Sequence, residues 1–219
     1  MRVNRQINNA ILSYDMLSSL NLTNIIIVLI CLLVSMTIHE FMHAYVGFKL
    51  GDVTAVERGR VSFNPLHHID PVMTLLLPAI TLLLFHAPIL AAKPVPFNPR
   101  YVKYGEYGVA LLAVAGPVSN LLLAFFAALI LRFVDLGAFF NQVVIFFVEL
   151  NVALAVFNLM PIPPLDGSRV LYAFAPEFVQ EFMQQIEPYG FFIVILLVLW
   201  GGASNVLAYL NNFVLSLLP

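Results

Sequence analysis

Four stretches of this chain are apolar on every side rather than alternating like a strand or striped like a surface helix. Residues 24–48 (NIIIVLICLLVSMTIHEFMHAYVGF) close on Lys49 and Gly51-Asp52. Residues 109–131 are uncharged and end at Arg132 and Asp135, and residues 139–159 stop at Pro161, Pro163 and Pro164. Each has the roughly 20 apolar residues that a bilayer-crossing helix needs. Residues 189–218 are equally apolar but broken by Gly201-Gly202, and so read as one long helix or two short pieces. A fifth apolar stretch, 71–90, carries Pro78 at its centre. Polar links occupy 51–70, 91–106 and 166–188, and VTAVERGRVSF at 53–63 reads as a short β-hairpin. The pattern predicts an all-α multi-pass membrane protein with about four to five transmembrane helices. It forms one membrane-embedded domain over 1–219, with a core at 24–171 and a C-terminal helical segment at 189–218.

Composition sharpens this picture. The 219 residues are 61% hydrophobic and 10% charged, whereas soluble domains carry about a quarter charged residues. Too little polar surface is present to cover a water-soluble core. A net charge of −2 points away from nucleic acid. Cys31 is the only cysteine, so no internal disulfide forms. Arg2 and Arg5 precede the first apolar run as in a signal peptide. That run leads into HEFMH rather than a small-residue cleavage site, and is read as retained.

HEFMH, residues 39–43, is the chemical anomaly: three ionisable groups inside an apolar run are costly and usually functional. On a helix, positions i and i+4 share a face, so His39 and His43 can grip one metal ion together. Glu40 is turned about 100° from His39, toward the open coordination position. In such a site zinc lowers the pKa of water to about 7 and a glutamate takes the proton. A catalytic zinc normally has three protein ligands. His67 and His68 lie in a loop beside Asp70 and His86 is isolated, so all three read as poor ligands. Asp166 in PIPPLDG is the better third donor, because the prolines stop the preceding helix and leave the backbone unwound. The competing reading makes Asp166 the N-cap of a helix beginning at Gly167.

HEFMH at the end of an apolar helix, AGPVSN at 115–120 and NLMPIPPLDG at 158–167, in this order, resemble the site-2 protease family of intramembrane zinc metalloproteases. GRVSFNPLHHIDP and AKPVPFNP extend the likeness to the small stand-alone prokaryotic members without PDZ or CBS domains. The resemblance covers roughly residues 38–171. It implies one zinc ion held by His39, His43 and Asp166, with Glu40 as catalytic base. It also implies that Asn120 and Asn158 shape the site, hold substrate or donate to an oxyanion. Asn151, seven residues before Asn158 on the same helix face, reads as interhelical glue; Glu149 is given no role.

Topology offers a parity test. The histidines precede Lys49 by 6–10 residues, roughly 9–15 Å along the helix. If residues 71–90 spanned fully, Asp166 would emerge on the opposite side of the bilayer and the site could not close. Residues 71–90 are therefore expected to form a re-entrant hairpin turning at Pro78, permitted where protein covers the backbone. Lys49, Arg58, Arg60, Lys93, Arg100, Lys103 and Arg169 then share one side, against Arg2, Arg5 and Arg132 on the other. The positive-inside rule makes the richer side cytoplasmic, with the site near it in the cell membrane.

Cleavage within a membrane requires a helical substrate to unwind. Residues 53–63 are expected to offer a strand edge to the unwound segment. The family resemblance implies a single-spanning protein or signal-peptide remnant as substrate. The alternative reading, a membrane metal transporter or metal-binding module, predicts polar residues along a path through several helices. Here they concentrate at one depth.

Overall fold

The computed structural model describes residues 21–68, 94–200 and 204–219. Helix α1 spans Leu22–Lys49, the short α2 Thr54–Glu57, α3 Glu106–Phe133 and α4 Ala138–Asn158. After a proline-rich turn come α5 (Asp166–Phe174), α6 (Glu177–Ile186), a 3-10 turn at Glu187–Tyr189, α7 (Gly190–Trp200) and α8 (Ser204–Leu217). The helices α1, α3 and α4 are long and apolar enough to cross a membrane, and each matches its predicted run within three residues. The C-terminal apolar stretch is two helices, α7 and α8. The re-entrant hairpin expected at 71–90 lies outside the described residues.

Helix α3 is the central element, packed against α1, α4 and α5. Its buried face is built largely from small residues: Gly108, Ala110, Ala113, Ala115, Gly116, Ser119, Ala124, Ala127 and Ala128. In lipid, small residues allow backbones to approach and gain dispersion contacts. Below them Ala124, Ala127 and Ala128 meet Val148, Val152 and Val156 of α4 and Leu215 of α8 in one apolar cluster. Pro117 sits inside α3, which nevertheless runs unbroken for 28 residues.

The end of α1 and the start of α3 meet at one end of the bundle. The Lys103 N–H donates to the Leu50 carbonyl at 2.8 Å, so α3 starts where α1 ends and runs antiparallel to it. Helix α4 then returns toward that side, as the parity argument requires. The stop of α1 is local chemistry. Gly51, at φ +104°, takes the left-handed turn, the Gly51 N–H reaches Phe48 O and the Asp52 N–H reaches Gly47 O, closing a Schellman cap.

Residues 53–63 are not a β-hairpin, and no strand occurs among the described residues. Asp52 captures both the N–H and hydroxyl of Thr54, at 3.0 and 2.5 Å, which starts the helical turn α2. Gly59, at φ +65°, ends it with a second Schellman cap, Arg60 N–H to Ala55 O and Gly59 N–H to Val56 O. The apolar alternation of this stretch was outweighed by Asx and glycine turn chemistry. The strand edge expected to receive substrate at 53–63 goes with it. Asp52 is 1% exposed and also accepts from the Asn98 N–H at 2.7 Å, stitching the end of α1 to the segment before α3. The link at 166–188 is likewise mostly helical. Apolar spacing in DGSRVLYAF and EFVQEFMQQI is that of a helix, in pieces too short to announce themselves beside longer spans.

Candidate metal centre

The two histidines of α1 lie one turn apart, with their Nε2 atoms 2.9 Å apart. Asp166, the first residue of α5, brings Oδ2 to 3.2 Å from His39 Nε2 and 3.3 Å from His43 Nε2. Asp166 does not cap its helix: the N-cap is Leu165 and no side chain bonds there. Close packing seats it. A Cβ on Gly167 would lie 2.1 Å from the Leu159 carbonyl oxygen, so the glycine after Asp166 lets α5 fold back onto the end of α4.

The protons on the imidazoles follow from their partners. His43 Nδ1 faces the Leu112 carbonyl at 2.9 Å, which can only accept, so Nδ1 carries the proton and Nε2 presents a lone pair. His39 is fixed by a longer relay. The Phe147 carbonyl accepts from Asn151 Nδ2 at 2.8 Å, and Asn151 Oδ1 accepts from Asn120 Nδ2 at 2.8 Å. That leaves Asn120 Oδ1 to accept from His39 Nδ1 at 2.5 Å. His39 Nε2 is therefore also a lone pair. With both rings neutral, three lone pairs converge, and Asp166 Oδ2 is a buried atom without a hydrogen-bond partner among the described residues. A bound metal cation would satisfy all three at once. Tetrahedral zinc with bonds of about 2.0–2.1 Å places its donors about 3.3 Å apart, close to the separations seen here.

Glycine clears the remaining side. A Cβ on Gly116 would lie 2.4 Å from His43 Nε2 and 2.5 Å from His39 Nε2. Gly116 and the Leu112 carbonyl are functional positions that sequence reasoning passed over. The signal for Gly116 was its place in AGPVSN at mid-helix.

Glu40 is buried and lines the same cavity, of about 560 Å³, a size typical of ligand clefts. Asn158 also lines it, with Nδ2 donating to the Leu154 carbonyl at 2.9 Å. Asn120 is fully buried, with both ends of its amide engaged within the relay. His67 and His68 bond to the Gly59 and Ser62 carbonyls in their own loop, apart from the centre; His86 lies outside the described residues. Helix α7 closes one wall with Phe191, Val194 and Ile195. Its start is pressed on the proline turn, since a Cβ on Gly190 would meet the Pro163 carbonyl oxygen at 2.6 Å. Arg169 forks onto Glu187 through both guanidinium nitrogens beside that wall.

Because Asn120 holds the tautomer of His39, Asn120→Ala is expected to weaken zinc affinity about 10- to 100-fold, the usual cost of losing a ligand's orienting partner. Competition with a chromogenic chelator measures it, and unchanged affinity would remove the relay from the account.

Spanning helices that bring a paired-histidine, single-carboxylate centre into an apolar cavity define a membrane-embedded metallohydrolase architecture. The comparisons agree. Residues 133–201 match the family model "Peptidase family M50". The chain is 40% identical over 187 residues to "Putative zinc metalloprotease YwhC" of Bacillus subtilis (strain 168), covering 81% of this chain and 82% of that protein. It is 30% identical over 174 residues to "Putative zinc metalloprotease Rip2" of Mycolicibacterium smegmatis, covering 76% of this chain and 64% of the relative. A Methanocaldococcus jannaschii relative, "Putative zinc metalloprotease MJ0611", is 33% identical over 133 residues, 61% of this chain and 62% of that one. No solved structure matches. The chain belongs to peptidase family M50, the site-2 proteases, and is a metalloprotease.

Proposed function

We propose that this chain is an intramembrane zinc endopeptidase that hydrolyses a peptide bond in or near the transmembrane segment of another membrane protein. The observation that carries the reading is the convergence of His39 Nε2, His43 Nε2 and Asp166 Oδ2 inside an apolar cavity. These three residues would hold one zinc ion, whose chemistry there is to make a water acidic enough to lose its proton near pH 7 and to polarise the scissile carbonyl. Glu40 takes the proton of the attacking water and passes it to the leaving amine. The relay through Asn120 and Asn151 keeps the His39 lone pair aimed inward, and the Leu112 carbonyl does the same for His43. Asn158 borders the cavity, where its amide is available to a substrate backbone.

The apolar walls suit a stretch of transmembrane chain that has unwound, and α7 borders the space it would enter. Among the described residues, Lys49, Arg58, Arg60, Arg100, Lys103 and Arg169 lie toward the site's side of the bundle and support a cytoplasmic orientation in the cell membrane. The substrate class, a single-spanning protein or signal-peptide remnant, is the one the family resemblance implies. Residues 1–219 act as one membrane-embedded protease domain.

The reading is tested with purified protein in lipid vesicles containing a fluorogenic transmembrane peptide. One zinc per chain and cleavage stopped by 1,10-phenanthroline and restored by added zinc are expected. Cleavage that persists in the metal-free protein would overturn the mechanism. Zinc flux across the vesicles without cleavage would favour the transporter.

A further inference from the structure

Helix α6 has three faces rather than two. Met183 is buried and Val179 partly so, facing the protein, while Gln180 Nε2 bonds the Tyr172 and Ala175 carbonyls at 2.9 and 3.1 Å. Glu177, Glu181, Gln184 and Gln185 point outward as a polar face. Between these sectors Phe178 and Phe182, about 40° apart around the helix, are 72% and 60% exposed. Phe174, at the end of α5 and separated from α6 by the extended Ala175-Pro176, is 71% exposed as well.

Fully exposed phenylalanines beside a polar face need an occupant, and their position in the bundle indicates one. Phe174 makes an edge contact with Tyr107, ring centroids 5.4 Å apart, and Tyr107 belongs to the first turn of α3. That turn lies at the end of the bundle where Lys103 bonds Leu50 and α1 finishes. Tyr101, Tyr104 and Tyr107 are all more than half exposed at this level, as tyrosines are at a membrane boundary. The ten residues of α6 reach only about 15 Å, too short to cross. A helix with an apolar sector and a polar face, set where spanning helices end, lies in the plane of the bilayer surface.

We propose that α5 and α6 form a membrane-surface element whose Phe174, Phe178 and Phe182 are immersed in the lipid headgroup–acyl boundary, with Glu177 and Glu181 facing water. The occupant of this face is lipid, because the contact of Phe174 with Tyr107 sets it at the level of the spanning-helix ends. The acidic residues beside it make zwitterionic headgroups better neighbours than anionic ones. Asp166 then begins a helix whose far end, about 12 Å away, is tied to the bilayer surface.

The test is fluorescence quenching in phosphatidylcholine vesicles, which depends on neither zinc nor proteolysis. Trp200 is the only tryptophan, so Trp200→Phe supplies a dark background for single Phe178→Trp, Phe182→Trp and Glu181→Trp variants. At 178 and 182, strong quenching is expected from lipids brominated near the headgroup, less from lipids brominated at the chain ends, and little from iodide. At 181, iodide should quench and brominated lipid should not. Iodide quenching at 178 and 182 overturns the proposal by placing the row in water. Quenching there by neither agent overturns it equally, because a protein surface then covers the row.

Discussion

Gly116→Ala is expected to abolish zinc binding while leaving the protein folded. The added Cβ would lie 2.4 and 2.5 Å from the two Nε2 atoms, well inside van der Waals contact, so one ring or one helix must move. The rings are not free to retreat, because His43 Nδ1 is held by Leu112 O and His39 Nδ1 by Asn120 Oδ1. Tipping them away preserves packing at the cost of the inward lone pairs. Catalytic geometry tolerates about 0.5 Å of error, and the displacement needed here is larger. The loss should match that of Asp166→Ala, which removes one of three ligands. Zinc content of the purified variant, read beside its thermal melting temperature, checks this. A Gly116→Ala protein carrying one zinc at unchanged affinity would mean that the imidazoles are held less firmly than these bonds imply.

Glu40→Gln should do the opposite, keeping the metal and losing the chemistry. Glu40 follows His39 on α1 and borders the cavity without belonging to the converging triangle. The amide preserves its size and removes its ability to accept a proton. General-base catalysis contributes about 10²–10⁴-fold, and cleavage of a transmembrane peptide should fall by that factor with zinc still at one per chain. Equal activity in the variant would transfer the base role to another group, and loss of zinc would make Glu40 a ligand rather than a base.

Short-range chemistry was legible in the sequence. Long apolar runs produced α1, α3 and α4 within three residues, because burial of every face in lipid leaves no competing period. The pairing of His39 with His43 followed from helical spacing alone. The segment 53–63 misled because its weak alternation was read without the capping power of Asp52 or the left-handed turn of Gly59; α5 entered only as the helix of the competing reading of Asp166, and α6 went unseen because it spans only about ten residues.

The parts that depend on distant segments meeting were of another kind. Asn120 and Asn151 were each recognisable as costly amides in an apolar helix. That they form one directed chain from the Phe147 carbonyl to His39 depends on the register of α3 against α1 and α4. Gly116 matters through two atoms some 75 residues earlier in the chain. The sequence by itself determined a membrane bundle, a helical histidine pair with its glutamate, and a proline-broken segment leading to an aspartate, since each is written in contiguous residues. Only the tertiary structure decided which nitrogens bear protons, which glycine makes room for an ion and where an aromatic row emerges. Those depend on ångström-scale approach between helices, which no local pattern encodes.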